Sequence, residues 1–592
     1  MPRRPLTRSF HRPLRLLRRH WLMVTIGMLL VPVHAGASLW MPRLLGDALD
    51  QLTHGGTRDA LATTCWLLML LAAVEGLSRF VSRKTLIDAS RLVERELKDD
   101  LTAHLMRLPI AWFDRARTGD IQSRMTQDVE LVRFVMGPIL LHGGSTLCLL
   151  PAGMTLMLQM NVPVTLASIG VFGALFVAMR MLVPRLHQWS KRSQEAIGEV
   201  SQRAQEDFAG VRVVQQFDAV ARERAAMATK NRRFLLANLR LVRLRSTMHA
   251  LSHSTSGVVM LGVLLVGGHE VIGGAITIGQ LFQFTGYLGL MTFPLEILGW
   301  TIAMVPRSYA AATRIEELFQ VEPEPAAGDV PALRGDLEAR GLTFTYPGAD
   351  RPALQDVSFS LRAGEKLGLV GAVGSGKSTL LALLLRYYEP PPGTLFVDGR
   401  DVLSLSPRAL RGLFALASQE PFLFSDTVAQ NVRFADERAT ADDAALQQAV
   451  AAAALDQDLP QLRDGLDTIV GERGVTLSGG QKQRVSLARA VLSDRPGLLL
   501  DDTLSAVDPD TERRILEGLR RERRGRTVIA ASHRLSVVAD AELILVFEGG
   551  RIRERGTHRE LLRHGGLYAT AWRRQTEARA LESHSDDDEV GR

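Results

Sequence analysis

Six apolar runs, separated by polar and basic stretches, occupy the first half of the chain: Trp21 to Trp40, Ala60 to Phe80, Val135 to Met160, Val162 to Met181, Met248 to Gly268 and Ile276 to Val305. A helix crosses the roughly 30 Å hydrocarbon core of a bilayer in about 20 residues, so each run predicts a membrane span. The run after Arg19 is too long for a cleavable signal peptide, lacks a small-residue cleavage site and is followed by more spans, so it is the first membrane helix. The polar stretches after the second and fourth spans keep a helical period with few Gly or Pro. They predict helices that continue beyond the membrane and reverse at short turns, one with Phe113-Asp114 and Thr118-Gly119-Asp120, the other at Glu206 to Gly210. A Pro, Gly and acid-rich break, Val321 to Asp329, ends this pattern, and strand-like and helix-like runs alternate beyond it, as in an α/β domain.

Composition alone is bland. The 592 residues carry 71 Lys+Arg against 64 Asp+Glu, a net charge of +7, with 46% hydrophobic residues, which excludes disordered, collagen-like and disulfide-rich secreted classes. Cys65 and Cys148 lie in apolar runs without the spacing of a zinc or redox pair. The placement of charge says more. Basic residues crowd the N-terminus, the loop from Arg83 to Arg133 and the loop from Arg185 to Arg245, while the intervening loops hold almost none. By the positive-inside rule both termini are cytoplasmic. Membrane topology and anionic lipid headgroups explain the basic surface, so no nucleic-acid partner is expected.

Chemistry enters in the second half. Lys366 to Val370 reads as a strand leading into Gly371-Ala372-Val373-Gly374-Ser375-Gly376-Lys377-Ser378-Thr379 and then a helical run, the GxxxxGK[ST] pattern in its strand-to-helix context. Glycines let backbone N–H groups wrap phosphates at a helix N-terminus, Lys377 supplies a cation to the β and γ phosphates, and Ser378 offers a hydroxyl to Mg2+. A second apolar strand ends in Asp501, the carboxylate expected to hold Mg2+. The fold class is therefore an all-α six-helix transmembrane domain over residues 1–320, a linker over 321–336, an α/β P-loop nucleotide-binding domain over 337–577 and a solvated, disordered acidic tail over 578–592.

Leu477-Ser478-Gly479-Gly480-Gln481 is LSGGQ, and with it nearly the whole chain resembles an ABC exporter half-transporter of the multidrug or lipid type. Two glycines and a Ser opening a helix suit a second phosphate-binding cap. The resemblance implies that this cap faces ATP held by another subunit, so that a second half-transporter is required. It also implies that Tyr346 stacks on adenine, that Gln419 contacts Mg2+, that Gly471 to Gly474 forms the exporter-specific loop, that Asp508 belongs to the D-loop and that His533 is the switch histidine. ATP and Mg2+ are the implied cofactors, and a hydrophobic or amphipathic substrate (drug, lipid or peptide) the implied cargo, exported by alternating access at the bacterial inner membrane.

The residue after Asp501 departs from the family pattern. Active members mostly carry Glu there as the base or water-orienting group, whereas this chain has Asp502. Its carboxylate falls about 1.5 Å short, and a displacement near 1 Å costs on the order of 100-fold in rate. This departure resembles the degenerate subunit of a heterodimeric exporter, whose intact LSGGQ completes a partner's competent site. The alternatives are a homodimer using Asp502 as a poor base, a homodimeric lipid flippase, and a regulator or channel without a pumped substrate. In the sixth span Glu296 follows Pro294 within an apolar helix. The cost of a carboxylate in an apolar helix requires a cavity or a partner. The resemblance places this span along the translocation pathway, which implies a contact for cationic substrates, and the alternative is an ion pair with a helix-end Arg.

Overall fold

The computed structural model describes residues 10–325, 332–435, 443–471, 474, 476–505, 507–522 and 525–577. These divide into two compact units, Met1–Ala103 with Gly119–Gln320, and His104–Thr118 with Val321–Arg592. The segment 104–118, which the sequence assigns to the membrane domain, thus packs with the second unit.

The first unit is helical. After α1 (His11–Arg19) come α2 (Trp21–Thr53) and α3 (Arg58–Leu105), and beyond the short α4 (Ile110–Phe113) of the other unit come α5 (Thr118–Met160), α6 (Val162–Ala209), α7 (Val211–Gln216), α8 (Val220–Ile272) and α9 (Ile278–Phe319). By length and composition α2, α3, α5 and α9 suffice to cross a membrane, and the described apolar parts of α6 and α8, Val162–Val171 and Gly257–Ile272, are shorter. Trp66, Leu67, Leu70, Leu77 and Phe80 stand exposed along α3, and only 6% of its most apolar window is buried. Such an outward apolar face suits lipid as solvent. Cys65 is a free thiol on this exposed face.

Helices join where small residues and polar bonds permit. The Asp50 carboxylate at the end of α2 accepts Thr277 Oγ1–H at 2.5 Å and Gly279 N–H at 2.8 Å, supplying an acceptor to the free N–H groups that open α9. A Cβ on Gly279 would run into the backbone oxygen of Gly46, so this approach requires glycine. Within α5 two π-helical turns, Arg124–Asp128 and Val135–Ile139, interrupt the α pattern. The second contains Pro138, which has no N–H to give. The first presents the buried Asp128 carboxylate to the Arg314 guanidinium of α9, with Nε donating at 2.8 Å. Glu75 and Arg79 form the i, i+4 ion pair expected from their spacing.

The second unit is α/β. A four-stranded antiparallel sheet has the order β2-β1-β4-β5, from β1 (Leu337–Phe344), β2 (Leu354–Leu361), β4 (Leu395–Val397) and β5 (Arg400–Asp401). A six-stranded sheet runs β10-β9-β3-β8-β7-β6, from β3 (Lys366–Gly371), β6 (Phe414–Ala417), β7 (Gly497–Asp501), β8 (Thr527–Ser532), β9 (Leu543–Glu548) and β10 (Arg551–Gly556). The central strands pair in parallel, β3 with β8 and β9, and β7 with β6 and β8, so Gly371, Asp501 and Ser532 finish at one edge. Near-continuous burial of Leu367, Leu369, Leu498 to Leu500 and Val528 to Ala531 explains why these runs lack alternation. Three helices serve the site below: α10 (Lys377–Leu384), α11 (Gly479–Leu492) and α12 (Pro509–Glu522).

Candidate functional site: a nucleotide site and a membrane cleft

At the end of β3 the chain turns sharply into α10. Gly376 has φ +108°, and a Cβ there would lie 2.8 Å from the Ala353 carbonyl, so both backbone and space require glycine. Gly371 and Gly374 also have positive φ. Ser375 Oγ is buried among these backbone groups without a hydrogen-bond partner. A buried donor left open beside a helix N-terminus fits a phosphate oxygen.

Lys377 Nζ donates to the carbonyls of Gly371 at 2.7 Å and Ala372 at 2.9 Å. Burial holds its pKa below the usual lysine value, against the opposing pull of Asp502 and Asp501. Ser378 Oγ donates to Asp501 Oδ1 at 2.9 Å. Burial raises the Asp501 pKa, and the Ser378 bond acts in the other direction. A carboxylate and a hydroxyl side by side form an oxygen donor pair suited to Mg2+, which supplies charge neutralisation at phosphate oxygens. Among the described residues no group of three or more His, Cys, Asp or Glu could hold a metal ion.

Asp502 adopts a left-handed backbone, φ +46°, with its N–H donating to Ala531 O at 2.8 Å. His533 Nδ1 lies 2.9 Å from Asp502 Oδ2 in hydrogen-bond geometry and 2.7 Å from Oδ1. Oδ1 is buried and has no hydrogen bond of its own. The structure therefore gathers Lys377, Ser378, Asp501, Asp502 and His533 into one cluster at the strand ends. Thr379 extends it, because Tyr346 OH donates to Thr379 Oγ1 at 3.1 Å.

Other motif residues bond elsewhere. Ser478 caps α11 in a reciprocal box with Gln481: Ser478 Oγ accepts Gln481 N–H at 3.2 Å, and Gln481 Oε1 accepts Ser478 N–H at 2.9 Å. Leu477 is buried, while Gly479 and Gly480 form the first turn of the helix. Asp508 Oδ1 accepts the Thr511 N–H at 2.9 Å at the start of α12, and backbone hydrogen bonding lowers its pKa. Gln419 stands exposed in a bend just past β6. Glu472, Arg473 and Ala506 lie outside the described residues, as do the linker residues 326–331 and the tail 578–592.

Sequence reasoning missed Arg534. Its guanidinium donates to the carbonyls of Val507 at 2.7 Å and Ser505 at 3.1 Å, and to Glu512 at 2.6 Å, fixing the D-loop against the end of β8. Only its position next to His533 hints at this in the sequence.

A second feature lies within the helical unit. Arg83, Ile87, Phe134, His142 and Trp300 line a cleft of about 450 Å³ between α3, α5 and α9. Phe134 and Trp300 meet edge to face at 4.4 Å. Glu296 lies on the same helix as Trp300, and its side chain is outside the described residues.

Comparison with known proteins settles the family. The description "ABC transporter transmembrane region" matches residues 24–295, and "ABC transporter" matches residues 354–505. The chain belongs to the ABC transporters. It is 35% identical over 579 residues to the multidrug resistance-like ATP-binding protein MdlA of Escherichia coli, covering 97% of each chain. It is 34% identical to the ATP-dependent lipid A-core flippase of Aromatoleum aromaticum over 85% of this chain and 84% of that one. The solved structure of a bacterial Atm1-family ABC exporter with ATP bound superposes with a TM-score of 0.75 at 28% identity, covering 94% of this chain and 98% of that one. This ABC protein is an integral membrane ATPase coupled to transport, and it uses ATP with Mg2+.

Proposed function

We propose that this chain is one half of an exporter of amphipathic molecules at a bacterial inner membrane, working as a heterodimer whose second half-transporter supplies the stronger ATP site. Residues 1–320 form the membrane domain, apart from segment 104–118, which belongs to the compact unit of the nucleotide domain, with 337–577 the nucleotide domain, 321–336 the linker and both termini on the cytoplasmic side. Gly371 to Thr379 hold the phosphates, Tyr346 the adenine, and Ser378, Asp501 and Gln419 the Mg2+. Asp502 and His533 orient the attacking water, and Leu477 to Gln481 cap the nucleotide of the partner subunit.

One observation carries the asymmetric reading. In the cluster of Lys377, Ser378, Asp501 and His533 the position expected to hold Glu carries Asp502, whose short carboxylate is engaged by His533 at 2.9 Å. Purification of the chain alone and with a neighbouring half-transporter tests this. Robust ATPase activity by the isolated chain overturns the heterodimer and leaves the homodimeric flippase, a reading favoured by the lipid A-core flippase relatives.

The substrate reading rests on the cleft. Aromatic walls together with Arg83 and His142 in the lining suit an apolar body with a polar headgroup, and the volume falls in the range of pockets that hold drug-sized ligands. The relatives named for multidrug resistance and for lipid A-core flipping agree with that class. Glu296 is the carboxylate proposed for cationic cargo, and unchanged export of cationic dyes by Glu296→Gln sinks that assignment.

A further inference from the structure

Segment 107–115 sits in the same compact unit as the nucleotide site and is tied to it at three points. Arg107 O accepts the Glu324 N–H at 2.8 Å. Arg115 Nη2 donates to the carbonyl of Pro347, the residue after Tyr346, at 3.2 Å. Tyr388 OH donates to the carboxylate of Asp114, the residue that closes α4.

The third tie leads directly to the adenine position. Tyr388 and Tyr346 meet edge to face, with ring centroids 4.8 Å apart and an interplanar angle of 89°. Phe344 buttresses both, at 5.1 Å from Tyr346 and 6.0 Å from Tyr388. Tyr346 is in turn pinned to the P-loop through Thr379. An edge-to-face packed ring has few orientations of low energy, so a base lying against Tyr346 restrains Tyr388 as well. The Tyr388 phenol is held by burial, with its pKa pushed up to about 12, so it remains a donor to Asp114 throughout the physiological range.

We propose that Tyr388 is a positioning residue that reports occupancy by a purine base to segment 107–115 through Asp114. The proposal rests on the reading of Tyr346 as the adenine platform. Segment 107–115 is the covalent link between α3 and α5, so ordering it acts on two helices of the membrane domain at their chain ends. Phosphates reach this relay only through the single Tyr346–Thr379 hydrogen bond, whereas a base lies on the Tyr346 ring that Tyr388 packs against.

Amide hydrogen exchange of the full-length protein in nanodiscs tests the relay. Magnesium ATP is expected to slow exchange of residues 104–118 by about ten-fold, the scale of one hydrogen bond to a charged group. Magnesium tripolyphosphate, which lacks the base, is expected to protect the P-loop peptide while leaving 104–118 within about two-fold of the free protein. Tyr388→Phe and, independently, Asp114→Ala should abolish ATP-dependent protection of 104–118 and keep that of residues 371–380, with Asp114→Asn retaining part through its amide oxygen. Equal protection of 104–118 by tripolyphosphate, or full protection in both Tyr388→Phe and Asp114→Ala, overturns the proposal. Absence of ATP protection at the P-loop of the unaltered protein overturns instead the nucleotide-site reading beneath it.

Discussion

A single methylene separates Asp502 from the Glu common at this position, and its backbone explains why the exchange is not neutral in either direction. At φ +46° the left-handed region tolerates Asp better than Glu. Asp502→Glu is expected to raise phosphate release at this site, by up to about 100-fold if reach alone limits it, with a small fall in melting temperature. An unchanged rate means that carboxylate length is not the defect. Lys377 tests the other half of the site. Its ammonium rests on two carbonyls of its own loop, an arrangement that phosphates displace. Lys377→Ala should weaken nucleotide binding about 10- to 100-fold, as expected for losing one charge-assisted contact, and titration with labelled ATP reads this directly.

Elements show how motif residues also serve local structure. Ser478 and Gln481 close the N-terminus of α11, and Asp508 closes that of α12, so the signature and the D-loop are held rigid by ordinary caps. Asp508→Ala should therefore lower stability by about 1 kcal/mol, and Asp508→Asn by less; a fall in ATPase rate shared by both at equal stability points to a role beyond the cap. In the helical unit the π turn at Arg124–Asp128 aims a buried carboxylate at Arg314. Truncating Arg314 leaves that charge buried without its guanidinium, a change that costs about 3–5 kcal/mol for a fully enclosed pair and less here, because the Arg314 side chain is 49% exposed. Thermal unfolding of Arg314→Ala against the Asp128→Asn/Arg314→Ala double variant separates pairing from packing, with the double variant expected to be the more stable of the two.

The whole molecule combines an outward apolar helical unit with an α/β unit that carries the nucleotide site. On the proposed reading of the cleft, its charge selects the cargo. Arg83→Ala is expected to reduce export of anionic amphiphiles by about ten-fold while leaving neutral hydrophobic dyes near the level of the unaltered protein, since the lost contribution is one charge contact of about 1.4 kcal/mol. Uptake into inverted vesicles measures this, and equal loss for both classes points to a packing defect.

Sequence by itself determined what depends on local pattern. Run length and apolar composition specified four of the six predicted spans, α2, α3, α5 and α9, Gly371 to Thr379 specified the phosphate loop, and Leu477 to Gln481 specified the family, because these features are set by residues adjacent in the chain. Tertiary structure alone decided what depends on distant residues meeting. It brought His533 against Asp502 across 31 positions, set Arg534 on the D-loop, opened a cleft between helices that begin at Arg58, Thr118 and Ile278, and placed Asp114 on Tyr388 across 274 positions. Hydropathy and spacing report how each segment meets its solvent, whereas the pairing of side chains follows from parallel strand order and helix packing, which no local pattern encodes.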